Sequence, residues 1–214
     1  IGNSIFAGQI WALLLKKITI QPSLQITLIS FERQIIRHDY KHQNIKIIQI
    51  KRYRYLGRLT LFLDLLKLKT RFKYLFLNSS KIIARGPFAG WIALKLLDHS
   101  KQTELIIQAR GLCAEEYQYS HQTNHAWLKI LTKLLTKLRY LQLFKLEKKV
   151  YRIPPNQNIK IECVSPALQD YFITSYYTHP LTLTIAQEDF PSPISTKQLT
   201  SWRTILRKTL NIEI

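Results

Sequence analysis

Apolar positions along the chain fall into two alternating textures. Short runs rich in β-branched residues read as buried strands. They are Leu24–Phe31 (LQITLISF), Ile45–Ile50 (IKIIQI), Ser80–Ala84 (SKIIA), Glu104–Ala109 (ELIIQA), Ile159–Val164 (IKIECV) and Leu181–Ala186 (LTLTIA). Stretches with helical spacing lie between them. Ile5–Lys17 reads as a helix with Ser4 as its N-cap and Lys16-Lys17 suited to its C-terminus. Leu56–Leu68 and Phe88–Leu97 follow, the latter with Ala89 and Gly90 in its first turn. From about Ala114 to Tyr151 the chain is mostly helical, with Leu128, Leu131, Leu134, Leu135 and Leu138 as an apolar stripe, and Pro154-Pro155 ends it. Ser165-Pro166 starts another helix, proline sitting at the tolerated first position. Pro191 and Pro193 mark a linker before a last amphipathic helix, Lys197–Leu210. Strands alternating with helices predict an α/β fold of βαβ units, a mostly parallel sheet flanked by helices. No strand precedes the first helix, so the first strand of that pattern is expected to be missing.

Charge changes the picture more than composition does. The 214 residues, 46% of them hydrophobic, suffice for a sizeable core, but Lys and Arg number 32 against 13 acids, a net charge of +19. Such a field draws phosphate groups, whether on nucleic acid, anionic lipid or a nucleotide. One cluster holds Lys46, Lys51, Arg52, Arg54, Arg58, Lys67, Lys69, Arg71 and Lys73, opposed only by Asp64 and interleaved with Tyr53, Tyr55, Phe62, Phe72 and Tyr74. It fits an anionic membrane surface, a solvated helix face, or single-stranded nucleic acid. A second cluster runs from Lys129 to Arg152 with only Glu147 opposing. Apolar runs such as Trp11–Leu15 fall far short of the ~20 residues that span a bilayer. No signal peptide is visible. A chain beginning at Ile1 and lacking Met is expected to be a fragment or a processed product. Cys113 and Cys163 have no CxxC spacing, which points to a reducing compartment without a disulfide framework or zinc site. His121 and His125 stand four apart but lack the carboxylate of an HExxH site, so no metal is expected. Cys113 has no evident base beside it and reads as a small packed residue.

Two strand ends carry the candidate chemistry. Ligands of parallel α/β sheets bind beyond the carboxyl ends of the strands. Two of those ends have the same composition, Arg85-Gly86 and Arg110-Gly111. Glycine lets the backbone turn tightly and approach a ligand, and a guanidinium suits carboxylate or phosphate. The helices that follow would present N–H groups to an anion, and Glu115 and Glu116 stand in the first turn of the second. Ordinary β–α connections can look the same, and acids at a helix start are favoured by the dipole alone.

Around these turns the chain resembles the N-terminal domain of glycosyltransferase family 4. IIARGPFAGWIALKLL (Ile82–Leu97) is similar to the family's "haRG..aG.iAl.l" segment, and ARGLCAEEY (Ala109–Tyr117) to its "D.RGlw.dE" segment. LISFE (Leu28–Glu32) matches the second strand and its end. CVSPALQDYF (Cys163–Phe172) resembles the step from strand to helix written "vS.al...l". Asp189-Phe190 with RTILRKTLNI (Arg203–Ile212) resembles the crossing into the second domain. Where the family often carries an acid before its second Arg-Gly, this chain has Gln108-Ala109.

The resemblance implies one half of a GT-B architecture. Residues 1–190 would form the acceptor-side Rossmann-like domain, and residues 191–214 the interdomain linker and first helix of an absent C-terminal domain. It implies a retaining transferase using a nucleotide-sugar donor held mainly by that missing domain, with no metal or other cofactor. The acceptor would be a glycan or lipid-linked, and the fragment inactive alone. Arg85, Gly86, Arg110, Gly111, Glu115 and Glu116 would bind substrate or acceptor. Lys51, Arg52, Arg54, Arg58, Lys69, Arg71 and Lys73 would form a membrane or polyanion surface, favoured as membrane-facing because the family often glycosylates lipid-linked acceptors. That implies a cytoplasmic protein, peripheral on the inner face of the membrane, with nucleic acid not expected as a partner. The alternative is a non-enzymatic, basic Rossmann-like binding module for RNA or another polyanion.

Overall fold

A computed structural model of the chain describes residues 10–32, 41–51, 58–97, 103–120, 129–155 and 158–186, with backbone only at 58–60 and 129–133. It is α/β and Rossmann-like, with parallel strands in two sheets flanked by helices. The chain divides into two compact units, Ile1–Arg71 and Phe72–Ile214.

In the first unit, α1 (Ala12–Ile20) leads to β1 (Ile26–Glu32), β2 (Ile45–Lys51) and α2 (Arg58–Arg71). The strands pair in parallel, Ile26 opposite Ile45 through Glu32 opposite Lys51. Helix α1 runs three residues beyond the predicted end at Lys17, with the Thr19 hydroxyl donating back to the Leu15 carbonyl at 3.0 Å. Pro22 then disfavours helical geometry at Gln21, which leaves the helical region with φ −131° and ψ 86°. Ser4 and the predicted start of this helix lie outside the described residues. Buried Asn44 sets the entry to β2, its amide donating to the Pro22 carbonyl at 2.6 Å. Among the described residues, Ile18, Ile45, Ile50 and Leu68 are the buried apolar residues here.

The second unit opens with a short helix, α3 (Lys73–Asn78), that the apolar pattern does not signal. Then come β3 (Lys81–Arg85), α4 (Gly86–Leu96), β4 (Glu104–Ala109), α5 (Cys113–Ser120), α6 (Lys129–Tyr151), β5 (Ile159–Cys163), α7 (Pro166–Tyr176), a 3₁₀ turn (Pro180–Thr182) and β6 (Leu183–Ile185). The predicted last strand is thus shortened, because Pro180 and the His179 side chain, which accepts from the Leu181 N–H, hold its start in a turn. Helix α7 starts at the expected Ser165-Pro166 step, and Ser165 caps it, accepting from the Leu168 N–H at 3.3 Å.

The four strands are parallel in the order β3-β4-β5-β6. Right-handed crossovers between consecutive neighbours send every connecting helix to the same face. One face therefore forms the core: Ala84, Leu105, Ile107, Ala109, Ile159, Ile161, Cys163 and Leu183 meet Ala93, Val150, Tyr151, Leu168, Phe172 and Tyr176. Tyr151 stacks on Phe172 with ring centroids 4.4 Å apart. Gly90 lets α4 descend onto the sheet, since a Cβ there would stand 2.9 Å from Ile107 and 2.8 Å from Val150 of α6. Strand alternation turns Lys81, Ile83, Arg85, Glu104, Ile106, Gln108, Lys160, Glu162 and Thr184 to the other face. There Glu104 meets Lys81 at 3.2 Å and Lys160 at 3.3 Å. These partners, Lys81 first, hold its carboxyl below its ordinary value.

The described part of the leucine stripe does not enter the core. Leu134, Leu135 and Leu138 are exposed. Helix α6 packs instead through Leu143, Glu147, Val150 and Tyr151, which recur at helical spacing further along. Among the described residues, no helix is long and apolar enough to cross a membrane.

Candidate functional site

The carboxyl edge of the four-stranded sheet gathers most of the expected substrate residues. Arg85 is the last residue of β3 and lies opposite Gln108 of β4. Gly86 follows with φ +80°, a left-handed conformation that resists any other residue, and opens α4. No side chain caps that helix start, and Pro87 removes one of its backbone donors. Arg110 and Gly111 leave β4 one strand over and lead through Leu112 into α5. Both arginines are half-buried.

The N-terminus of α5 is not open to a ligand anion, as the sequence had suggested for both helices. Glu147 reaches it from α6: its carboxylate accepts from the Cys113 N–H at 2.6 Å and the Ala114 N–H at 3.4 Å. It also accepts from the Tyr176 hydroxyl at 2.9 Å. The side chain is 0% exposed. Burial raises its carboxyl above the ordinary value, against the pull of these three hydrogen bonds. An internal carboxylate thus occupies the place where the helix dipole favours an anion. The same surroundings silence Cys113: burial first, then the Glu147 charge, push its thiol up to about 12. It is a packed residue rather than a nucleophile.

The two acids of the first turn of α5 separate. Glu115 accepts from the Tyr140 hydroxyl of α6 at 2.9 Å, which ties the helices together. Burial, then this contact, pushes Tyr140 up to about 12. Glu116 is exposed and its carboxylate lies over Gly111, where a Cβ would collide with Oε1. Glu116 therefore belongs with the Arg110-Gly111 turn, and Glu115 with the scaffold behind it.

A polar rung joins the turns. Arg85, Gln108, Glu162 and Thr184 lie opposite one another across the four strands, on the face away from the core. Gln108 donates to Glu162 at 2.6 Å. Gln108 stands where the resembled family often has an acid, and this structure puts a carboxylate beside it on the next strand. Sequence reading missed both Glu162 and Glu147. The signal for Glu162 is a polar residue at an alternate position in an apolar strand. For Glu147 it is a single acid on the buried stripe of a lysine-rich helix.

The expected basic surface is split by the unit boundary. Lys51, Lys69 and Arg71 are exposed in the first unit and Lys73 is exposed in the second. Arg52 and Arg54 lie outside the described residues, as do His121 and His125, and Arg58 is described by its backbone alone. Among the described residues, no group of three or more His, Cys, Asp or Glu could hold a metal ion. An apolar hollow of about 270 Å³ lies between Trp91, Leu94, Ile153, Pro154 and Ile159, with Lys95 and Lys149 beside it. It sits at the amino end of β5, away from the Arg-Gly turns, and has none of the convergent polar groups that orient a substrate.

No protein-family model matches the chain, and no curated protein matches it.

Proposed function

We propose that this chain is the acceptor-side part of a nucleotide-sugar-dependent, retaining glycosyltransferase. Its acceptor is a glycan or a lipid-linked sugar. The observation that carries this reading is the pair of Arg-Gly turns at the carboxyl ends of neighbouring parallel strands, within the segments that resemble glycosyltransferase family 4. Arg85 and Arg110 are guanidinium groups at the edge where ligands of such sheets bind. Fixed cations there hold acceptor or departing diphosphate and stabilise a transition state with oxocarbenium character. Glu116 and the Gln108–Glu162 pair supply acceptors for sugar hydroxyls at the same edge. A facing domain supplies the donor site, and the exposed cations Lys51, Lys69, Arg71 and Lys73 favour peripheral contact with an anionic membrane. A second reading, a non-enzymatic polyanion-binding module, draws on the net charge of +19 alone.

The test is a thermal-shift screen of sugar nucleotides on the full-length gene product, followed by transfer to lipid-linked acceptors. Arg110→Ala is expected to lower transfer about a hundredfold, the scale of a lost charge-stabilising donor, with folding kept. Robust turnover by residues 1–214 alone, or transfer indifferent to Arg110→Ala, would sink the proposal. RNA binding without stabilisation by any sugar nucleotide would favour the second reading.

A further inference from the structure

Helix α6 shows an outward face that neither the core nor the Arg-Gly edge uses. Leu134, Leu135, Leu138 and Leu141 are 54%, 56%, 48% and 40% exposed. Leu134, Leu138, Leu141, Lys145 and Lys149 succeed one another at steps of four, three, four and four residues, so they form one line along the helix. Lys137, Lys145 and Lys149 are exposed beside or along it. The only acid of the helix, Glu147, is fully buried on the opposite side. At the carboxyl end of the helix, Lys148 and Arg152 both lie over the ring of exposed Tyr177, at 5.4 and 6.0 Å from its centroid. The face is apolar in one half, cationic in the other, edged by an aromatic ring, and carries no acid of α6.

We infer that this face of α6 lies flat on an anionic phospholipid bilayer, its leucines at the acyl boundary and its lysines among the headgroups. Chemistry selects this occupant over the others. A second copy covering the whole line would set lysines against lysines if the helices ran parallel, and leucines against lysines if they ran antiparallel. Single-stranded nucleic acid would use several aromatic rings to stack on bases, and this face offers four leucines and one ring, Tyr177, at its edge. A bilayer with acidic headgroups satisfies both halves, apolar burial for the leucines and attraction for the lysines. The inference rests on the peripheral contact proposed above and assigns it to a surface other than Lys51, Lys69, Arg71 and Lys73. Vesicle binding is read without sugar transfer, so its failure leaves the transfer reading standing.

Flotation of the 214-residue chain with vesicles of phosphatidylcholine and phosphatidylglycerol, against phosphatidylcholine alone, tests it. Binding is expected only to the anionic vesicles and to weaken with salt. Leu134→Glu with Leu138→Glu should lower the partition coefficient about tenfold or more, through lost apolar burial. Lys145→Gln with Lys149→Gln should lower it about fivefold per lysine. All four positions are exposed, so circular dichroism should stay unchanged. Lys69→Gln with Arg71→Gln is the comparison on the first unit. Binding that survives the α6 changes, or falls only with the α2 changes, overturns the inference. So does equal binding to neutral vesicles, a dimer that Leu138→Glu dissolves, or RNA that displaces the chain from vesicles at equal phosphate.

Discussion

A carboxylate placed at a helix N-terminus inside the protein serves two opposed demands. Glu147 satisfies two backbone donors of α5 and the Tyr176 hydroxyl, yet it holds a charge away from water. Alanine at this position would orphan those donors, at a cost of about 3 kcal/mol. Glutamine keeps an acceptor for the cap and removes the charge, so it should cost about 1 kcal/mol or less. The pH dependence follows from the raised carboxyl. The native side chain binds a proton at a pH where the unfolded one has already lost it. Its linked contribution therefore favours folding in acid and is lost as pH rises from the ordinary glutamate range through the raised value. Urea unfolding across that window should show wild type losing stability relative to Glu147→Gln as pH rises. The opposite slope would mean that the three hydrogen bonds outweigh burial.

At the scale of elements, the contact of α4 with the sheet rests on Gly90. A side chain there would press on Ile107 and Val150, which belong to β4 and α6. Gly90→Val should cost about 1–3 kcal/mol through overpacking, seen as a lower midpoint in thermal unfolding, despite the helix propensity that it gains over glycine. Most strands were legible because a buried parallel strand must be apolar over its whole length, and IKIIQI or ELIIQA has no competing helical reading. The Ser165-Pro166 helix start and the turn at Gly86 were legible for the same local reason: cap and glycine chemistry act within a few residues. What stayed hidden depends on distant partners. The sequence alone does not say which stripe of α6 is buried, because Leu134–Leu138 and Leu143–Tyr151 both have helical spacing, and only the packing of α4, α5, α7 and the sheet against it chooses between them. The Gln108–Glu162 pair is hidden likewise, since strand register sets it across 54 residues. Glu147 was read as one charge among lysines, although its place in the apolar series with Leu143, Val150 and Tyr151 marks it as inward-facing.

Over the whole molecule, the two units are unequally built. Among the described residues, the first holds a two-stranded parallel pair, and the buried apolar residues are Ile18, Ile45, Ile50 and Leu68. Parallel pairing needs cover on both faces, and two strands alone are marginal in water. The second holds four strands with α4, α6 and α7 packed on one face, and Leu105, Ile107 and Ile161 are fully buried. Local opening free energies scale with such buried apolar contact. Backbone amides of Ile47–Ile50 should therefore exchange with solvent on the order of a hundredfold faster than those of Leu105–Ile107, read by hydrogen exchange on the intact chain. Gly90→Val should then speed exchange in β4 and leave β2 unchanged, because its strain falls wholly within the second unit. Equal protection in β2 and β4, or a Gly90 effect that reaches β2, would mean that the two units open as one cooperative block. The Arg-Gly edge would then owe its rigidity to the whole chain rather than to the four-stranded sheet.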